Sequence, residues 1–168
     1  MKYQTNSVLC KAKFICFCFM LQVTSVACGY GFSVFSIKSK SGYQVFGTGL
    51  NSDSQIGKEY HIELFKTDSN LVNDLGHHAI NKGHPLELII EPVPIHLPTT
   101  DHISQVACGR AHTVILTNTG NAFTLGHNGY GQCGRTIVEN EDYQKQSIVH
   151  QIDIEEKVSQ VVCGQDHR

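Results

Sequence analysis

The sequence contains no tryptophan, only two methionines and four prolines, and just 17% of its 168 residues are charged. The apolar run at residues 14–21 is far shorter than the roughly 20 residues that cross a bilayer, so it is not a transmembrane helix. Basic residues do not exceed acidic ones, at 13 against 15 with a net charge of -2. This balance argues against direct nucleic-acid binding through a basic face.

Acidic residues are absent before Asp53, and residues 1–22 also lack arginine. We treat residues 1–22 as a leader of uncertain nature. Its lysines, its apolar run and the small residues before Cys28 imitate a secretory signal, whereas the missing acids fit an organelle-targeting presequence, which is normally rich in arginine. An atypical start site explains the same residues, and the three alternatives stay open.

Seven cysteines form an odd number, which does not suit a framework of disulfides. Cys28, Cys108 and Cys163 stand at equivalent places in a recurring segment. This pattern predicts buried, reduced thiols in an intracellular compartment.

A short cassette recurs along the chain. Its copies are Val26-Ala27-Cys28-Gly29, Val106-Ala107-Cys108-Gly109 and Val161-Val162-Cys163-Gly164. The first two copies are followed by an apolar run, a turn, a second apolar run and a glycine-rich corner, which spans residues 49–57 and 126–134. Such self-similarity indicates an array of repeats, each one a supersecondary unit.

The cassette spacing and the β-branched runs predict an all-β fold, a β-propeller with about two blades and the start of a third. Small residues on the cassette strand suit a strand packed on both faces. We divide the chain into the leader, a first blade at 23–105, a second blade at 106–160 and the truncated start of a third at 161–168. The residues that we assign to the repeat structure are Cys28, Gly29, Gly49, Asn51, Gly57, Cys108, Gly109, His112, Gly126, Asn128, Gly134, Cys163, Gly164 and His167.

The first predicted blade is longer than the second because of a polar insertion at residues 58–84, which we interpret as a blade-edge loop with a helical turn near residues 70–75. A strand is predicted at residues 86–91, followed by Pro92 and Pro94. Proline cannot donate to a sheet ladder, so this segment suits an outer edge strand.

The cassette and corner together resemble the regulator-of-chromosome-condensation repeat, whose units carry a Cys-Gly-x-x-His strand and a Gly-x-Asn-x-x-Gly-Gln-x-Gly corner. The resemblance covers residues 26–168, although Phe32 replaces the histidine of the first repeat. The string from Asn128 to Arg135 and the opening Ala27 to Phe32 are similar to a mitochondrial, exchange-factor-like branch of this family.

This resemblance implies a non-enzymatic, protein-binding propeller of seven blades in mitochondria. It implies guanine-nucleotide exchange on a dynamin-like GTPase of the inner membrane, with peripheral association with that membrane. The alternative is a propeller that assists mitochondrial ribosome assembly or acts as a scaffold without exchange activity. An enzyme is the least favoured class, and no cofactor or metal is expected.

Two motifs invite other interpretations. Gly129, Gly131 and Gly134 match a dinucleotide fingerprint, which requires a helix that begins at the third glycine. The Cys108/His112 and Cys163/His167 pairs suggest zinc, but on a strand the side chains of each pair lie about 13 Å apart. We therefore interpret both motifs as parts of the repeat.

Binding is expected at positions that differ between blades, because shared positions serve the fold. The partner-binding candidates are Tyr30, Asp53, Arg110, His127, Tyr130, Gln165 and Asp166. Asp166 either competes for the magnesium or the P-loop lysine of a GTPase, or hydrogen-bonds a neighbouring blade. The acidic cluster at residues 139–142 is either a solvated outer segment or a contact for a basic partner.

Overall fold

The computed structural model describes residues 21–57, 88–135 and 145–166, and these contain strands and turns but no helix. The strands are β1 (Gln22–Cys28), β2 (Phe32–Ser39), β3 (Gly42–Leu50), β4 (Leu88–Ile95), β5 (Ile103–Cys108), β6 (His112–Thr117), β7 (Ala122–His127) and β8 (Lys145–Gln151). Within these ranges, accordingly, there is no helical segment with the length and hydropathy of a membrane span. The predicted all-β architecture is confirmed.

The strands form two four-stranded antiparallel sheets, with neighbours in the orders β1-β2-β3-β4 and β5-β6-β7-β8. We call these sheets the first and second blades. Each is a meander in which chain order equals spatial order, as in a propeller blade. The sequence divides the blades at residue 106, whereas β5 already begins at Ile103. The strand predicted at residues 86–91 corresponds to β4, which begins at Leu88 among the described residues and continues through Pro92 and Pro94 to Ile95 at the outer edge of its sheet.

The hairpins of the two blades differ in length. In the first blade β2 and β3 pair from Phe32↔Gly49 to Ser39↔Gly42, so only Lys40 and Ser41 form the turn. In the second blade the pairing ends at Leu116↔Ala122. The segment from Phe32 to Gly49 is three residues longer than the equivalent segment from His112 to Gly126, and the added length lies in the paired strands and not in the loop.

The two blades pack face to face. One hydrophobic core joins Val34, Val45 and other residues of the first blade to Val106, Ile115 and Phe123 of the second. Val106 is only 3% exposed, whereas its repeat equivalent Val26 is 53% exposed. Burial at this position thus depends on a blade lying against it, as expected when both faces of each sheet are packed.

Polar side chains link the inner strands of successive blades. The Val106 N–H donates to Ser25 Oγ of the first blade at 3.0 Å. One repeat later, the Val161 N–H donates to Gln105 Oε1 at 3.0 Å, and Gln105 Nε2 donates to the Val161 carbonyl at 2.8 Å. Ser25 and Gln105 occupy the same repeat position, so the link itself is repeated.

The strand order places the connections at two opposite ends of the sheets. We define the turn face by residues 29–31, 51–57, 109–111, 128–134 and 164–166. The hairpin face carries residues 40–41, 96–102, 118–121 and 152–158. Backbone bonds from Leu50 N to the Gly31 carbonyl (2.8 Å) and from His127 N to the Ala111 carbonyl (2.8 Å) hold each corner of the turn face against the turn of its own blade.

Some expectations are corrected or lie outside the described residues. The expected burial of the repeat cysteines is wrong for Cys28, which is exposed, because no described residue covers the side of β1 away from β5; Cys108 and Cys163 are half-buried. All three are free thiols. The leader up to residue 20, the insertion at 58–84, the acidic cluster and His167 lie outside the described part of the chain.

Candidate protein-binding face

The turn after each cassette strand is shaped by a ring that lies on a glycine. His112 is fully buried, and a Cβ on Gly109 would lie 2.5 Å from its Nδ1. Gly29 faces the ring of Phe32 in the same way. The Gly29 N–H donates to the Phe32 carbonyl and the Gly109 N–H to the His112 carbonyl, both at 2.9 Å. Phenylalanine can therefore replace the repeat histidine because the position requires a planar ring over a glycine.

Backbone hydrogen bonds connect the next position of each turn across the blades. The Tyr30 N–H donates to the Arg110 carbonyl at 3.1 Å, and the Arg110 N–H donates to the Gln165 carbonyl at 2.7 Å. These three residues hold the same repeat position and differ in chemistry. The structure thus brings three of the sequence candidates into one continuous row, and the side chain of Tyr30 is 67% exposed.

An ion pair crosses the same row. Arg110 Nε lies 3.1 Å from Asp166 Oδ1, and the two side chains are 43% and 30% exposed. Asp166 therefore contacts the neighbouring blade through Arg110, in line with the plainer of its two predicted roles. At this exposure solvent screens the pair, so it orients the side chains more than it stabilises the fold.

The corners of the two blades share one hydrogen-bond pattern. Asn51 Oδ1 accepts from the Ile56 N–H at 2.9 Å, and Asn128 Oδ1 accepts from the Cys133 N–H at 2.8 Å. Both asparagines are buried. A buried amide that satisfies a backbone donor is costly to remove, so these residues fix the corner backbone.

A second amide presents the variable residue at the tip of each corner. Gln55 Oε1 accepts from the Asp53 N–H at 3.0 Å, and Gln132 Oε1 accepts from the Tyr130 N–H at 2.9 Å. Tyr130 is 74% exposed and Asp53 is half-buried. The same rigid frame thus displays a carboxylate on one blade and an aromatic ring on the next.

His127 completes the set of candidates on the turn face. Its ring centroid lies 5.8 Å from that of Tyr130, at an interplanar angle of 58°. Its backbone N–H donates to Ala111, the residue after Arg110. Six of the seven candidates therefore lie on the turn face and His127, the last residue of β7, borders it. Arg110, His127, Tyr130 and Asp166 are connected by direct contacts or through adjacent residues.

The glycines of the dinucleotide-like motif belong to the corner. The Gly131 N–H donates to the Asn128 carbonyl and the Gly134 N–H to the Gly131 carbonyl, both at 2.9 Å. Gly131 has a φ of 75°, and Ser54 holds the matching position of the first blade with a φ of 60°. The motif thus forms the same turn in both blades, which identifies its glycines as part of the repeat corner.

The cysteine column lies beside the turns without forming a metal cluster. In the ranges 21–57, 88–135 and 145–166, no group of three or more His, Cys, Asp or Glu side chains could hold a metal ion. The pKa of the Cys108 thiol is raised to about 12, chiefly by burial; a hydrogen bond with Thr113 opposes the rise, and the neighbouring Cys163 and Cys28 add to it. Cys108 is therefore a neutral thiol at physiological pH.

Contacts on the hairpin face and between inner strands were not singled out from the sequence. The ring of His102 stacks on Tyr43 with centroids 4.6 Å apart, and Lys157 Nζ donates to Asn121 Oδ1 at 2.9 Å. His102 and Lys157 are equivalent in the repeat, and each anchors the segment that enters the next blade. The one feature of the sequence that could have indicated their equivalence is their separation of 55 residues, which is also the separation of Cys108 and Cys163.

Comparison with known proteins agrees with this architecture. Residues 103–132 match the model of the regulator of chromosome condensation (RCC1) repeat. The human "RCC1-like G exchanging factor-like protein" is 40% identical over 151 residues, which cover 87% of this chain and 29% of that protein. The Arabidopsis thaliana "RCC1 domain-containing protein RUG3, mitochondrial" is 29% identical over 119 residues, covering 71% of this chain and 20% of that protein.

A solved structure extends the likeness to the fold. The crystal structure of human WBSCR16 superposes with a TM-score of 0.61 at 38% identity, covering 86% of this chain and 31% of that one. The chain thus spans less than a third of the relatives it matches. With its cassette turns, its corner asparagines and its two stacked antiparallel sheets, the chain carries repeats of the RCC1 type and has the fold of part of a β-propeller.

Proposed function

We propose that this chain is part of a non-enzymatic propeller that binds a GTPase through its turn face and promotes guanine-nucleotide exchange. The observation that carries the proposal is the continuous row on that face, in which Tyr30, Arg110 and Gln165 are linked by backbone hydrogen bonds. Exposed tyrosine and arginine side chains on a rigid frame are typical of residues that dominate protein interfaces. The name of the human relative, which describes an exchanging factor, supports the same class of function.

The partner that we propose is a dynamin-like GTPase of the mitochondrial inner membrane, so that the propeller associates with that membrane peripherally. The word "mitochondrial" in the name of the Arabidopsis relative supports the compartment. Exchange needs no covalent chemistry from the propeller. It requires that the turn face bind the nucleotide-free GTPase more tightly than the loaded form, so that binding shifts the partner toward nucleotide release.

The release of a fluorescent GDP analogue from the candidate GTPase tests this proposal. We expect the full chain to accelerate release, and a Tyr30→Ala/Arg110→Ala variant to lose most of the acceleration. A matched variant on the hairpin face, Lys40→Ala/Thr119→Ala, should retain it. Binding without any acceleration would favour the alternative of a scaffold or a factor in mitochondrial ribosome assembly, and equal loss in both variants would contradict a role for the turn face.

A further inference from the structure

The corners of the two blades differ at five positions, three of which lie close together in the second blade. His127, Gly129 and Tyr130 stand where the first blade has Leu50, Ser52 and Asp53. The frame around these positions is the same in both blades. This frame consists of the amide side chains that accept from backbone N–H groups of the corners, namely Asn51, Gln55, Asn128 and Gln132. These three differences therefore form a unit that the fold itself does not demand.

The hydrogen bonds of Gln132 fix the tautomer of His127. Gln132 Oε1 accepts from the Tyr130 N–H at 2.9 Å, and a backbone N–H can only donate. The amide nitrogen Nε2 of Gln132 must therefore face His127 Nδ1, which lies 2.7 Å away. Because this amide nitrogen is a donor, Nδ1 is the acceptor, and the neutral imidazole carries its proton on Nε2.

The outward nitrogen of the imidazole is available to a partner. Within the described residues, His127 Nε2 has no hydrogen-bond partner, and it is not one of the polar atoms that are buried without a partner. It is therefore accessible from outside the corner. The side chain of His127 is half-buried, and the Tyr130 ring beside it is 74% exposed. The corner thus presents a directed N–H donor next to an exposed aromatic surface.

Glycine at position 129 is required by the imidazole and not by the backbone. Gly129 is absent from the residues with positive φ, so other residues could adopt its conformation. A Cβ at this position, however, would lie 2.9 Å from Cε1 and 3.1 Å from Nε2 of His127. The first blade, which has Leu50 in place of the histidine, carries Ser52 here. A side chain at 129 would therefore displace the ring or cover its donor.

We infer that His127 Nε2–H and the Tyr130 ring form a recognition element for an oxygen acceptor on a protein partner. The acceptor is a carbonyl or carboxylate oxygen on a protein segment that also covers Tyr130. Gly129 and Gln132 are positioning residues, which hold the imidazole in place and set its tautomer. The inference rests on the proposed function and names a specificity element of the same face.

A double-mutant cycle on the full chain tests the inference, with the proposed dynamin-like GTPase in its nucleotide-free form as the probe. We expect His127→Ala and Gly129→Ala each to raise the dissociation constant about tenfold, as for the loss of one hydrogen bond. The double variant should bind no more weakly than His127→Ala alone, because displacing a ring has no effect once the ring is absent. Ser52→Ala, at the matched position of the first blade, should bind like the wild type.

The outcomes separate this inference from the proposed function. If the wild type binds the GTPase but the two single variants bind equally well, the recognition element is refuted and the proposed function stands. Additive effects in the double variant would refute the positioning role of Gly129. Absence of binding by the wild type would overturn both. Independently of any partner, two-bond ¹⁵N–¹H spectra of the imidazole should show the proton on Nε2, and a proton on Nδ1 would contradict the assignment.

Discussion

Gln105 holds Val161 through both of its backbone polar groups, accepting from its N–H at 3.0 Å and donating to its carbonyl at 2.8 Å. A single side chain thereby supplies the two hydrogen bonds that a neighbouring strand would otherwise supply. The described start of the third repeat, residues 161–166, is thus fixed against the second blade. The Leu116–Ile152 cluster, against which Val161 also packs, completes this attachment.

We predict that Gln105→Ala destabilises the chain by about 1–3 kcal/mol, because the backbone groups of Val161 lose their partners while they remain half-buried. Amide hydrogen exchange in residues 158–166 should accelerate at the same time. Gln160 holds the same repeat position and is exposed. Gln160→Ala should change the free energy of unfolding by less than about 0.5 kcal/mol, and an equal effect of both substitutions would refute the account.

Gly109→Ala tests the packing of a ring on glycine. The new Cβ would lie 2.7 Å from the Gly164 carbonyl oxygen as well as against the His112 ring. Displacing the His112 ring and the Gly164 carbonyl from the new Cβ should lower the free energy of unfolding, measured with denaturant, by about 1–3 kcal/mol. Gly131→Asn is the control, since no atom lies within 4 Å of the place where the new Cβ would stand and asparagine tolerates positive φ. A loss at 131 as large as that at 109 would contradict a steric origin.

The Arg110–Asp166 pair should contribute little to stability. A double-mutant cycle with Arg110→Gln and Asp166→Asn is expected to give a coupling free energy of about 0.2–1 kcal/mol, reduced by 0.5 M salt. The value is small because both side chains are partly exposed. A coupling of several kcal/mol, insensitive to salt, would show that the pair is part of the core and not of a binding surface.

Alkaline pH should destabilise the chain through Cys108. The folded pKa of about 12 lies above the ordinary thiol pKa of 9.0, so the folded state retains the thiol proton more strongly than the unfolded state. The stabilising contribution is therefore complete below pH 9 and is lost as pH rises toward 12. Subtracting the unfolding curve of Cys108→Ala from that of the wild type isolates this term, and a pH-independent difference would contradict it.

The same shift predicts the order of thiol reactivity. Reactivity with alkylating agents follows the thiolate fraction, and at pH 8.5 the raised pKa keeps this fraction for Cys108 on the order of one in a thousand or less. Peptide mass spectrometry after brief iodoacetamide treatment should find Cys28, which is exposed, modified long before Cys108.

Periodicity and repetition made the sheets predictable from the sequence, since the cassette, the hairpin and the corner each recur in register. The edge position of Pro92 and Pro94 followed from their missing N–H groups. The exposure of Cys28 could not be predicted in this way. Burial of a position in a stacked sheet depends on the neighbouring blade, as the contrast between Val26 and Val106 shows.

The candidate face was predictable only as a set of positions. Comparison of the repeats identified Tyr30, Arg110 and Gln165 as variable, and the structure shows that their backbones are bonded in a row. The contact of Asp166 with Arg110 and the tautomer of His127 depend on distances between side chains, which no single sequence contains. The pairing of Gly129 with His127 was hidden for the same reason.

Site-specific photocross-linking tests most directly whether the turn face binds the partner. A benzophenone side chain placed at Tyr30 or at Tyr130 of the full chain should cross-link to the nucleotide-free dynamin-like GTPase. The same probe at Lys40 or at Thr119, both exposed on the hairpin face, should not. The account predicts adducts from the two tyrosine positions alone, and it is contradicted if the hairpin-face positions react while the tyrosine positions do not.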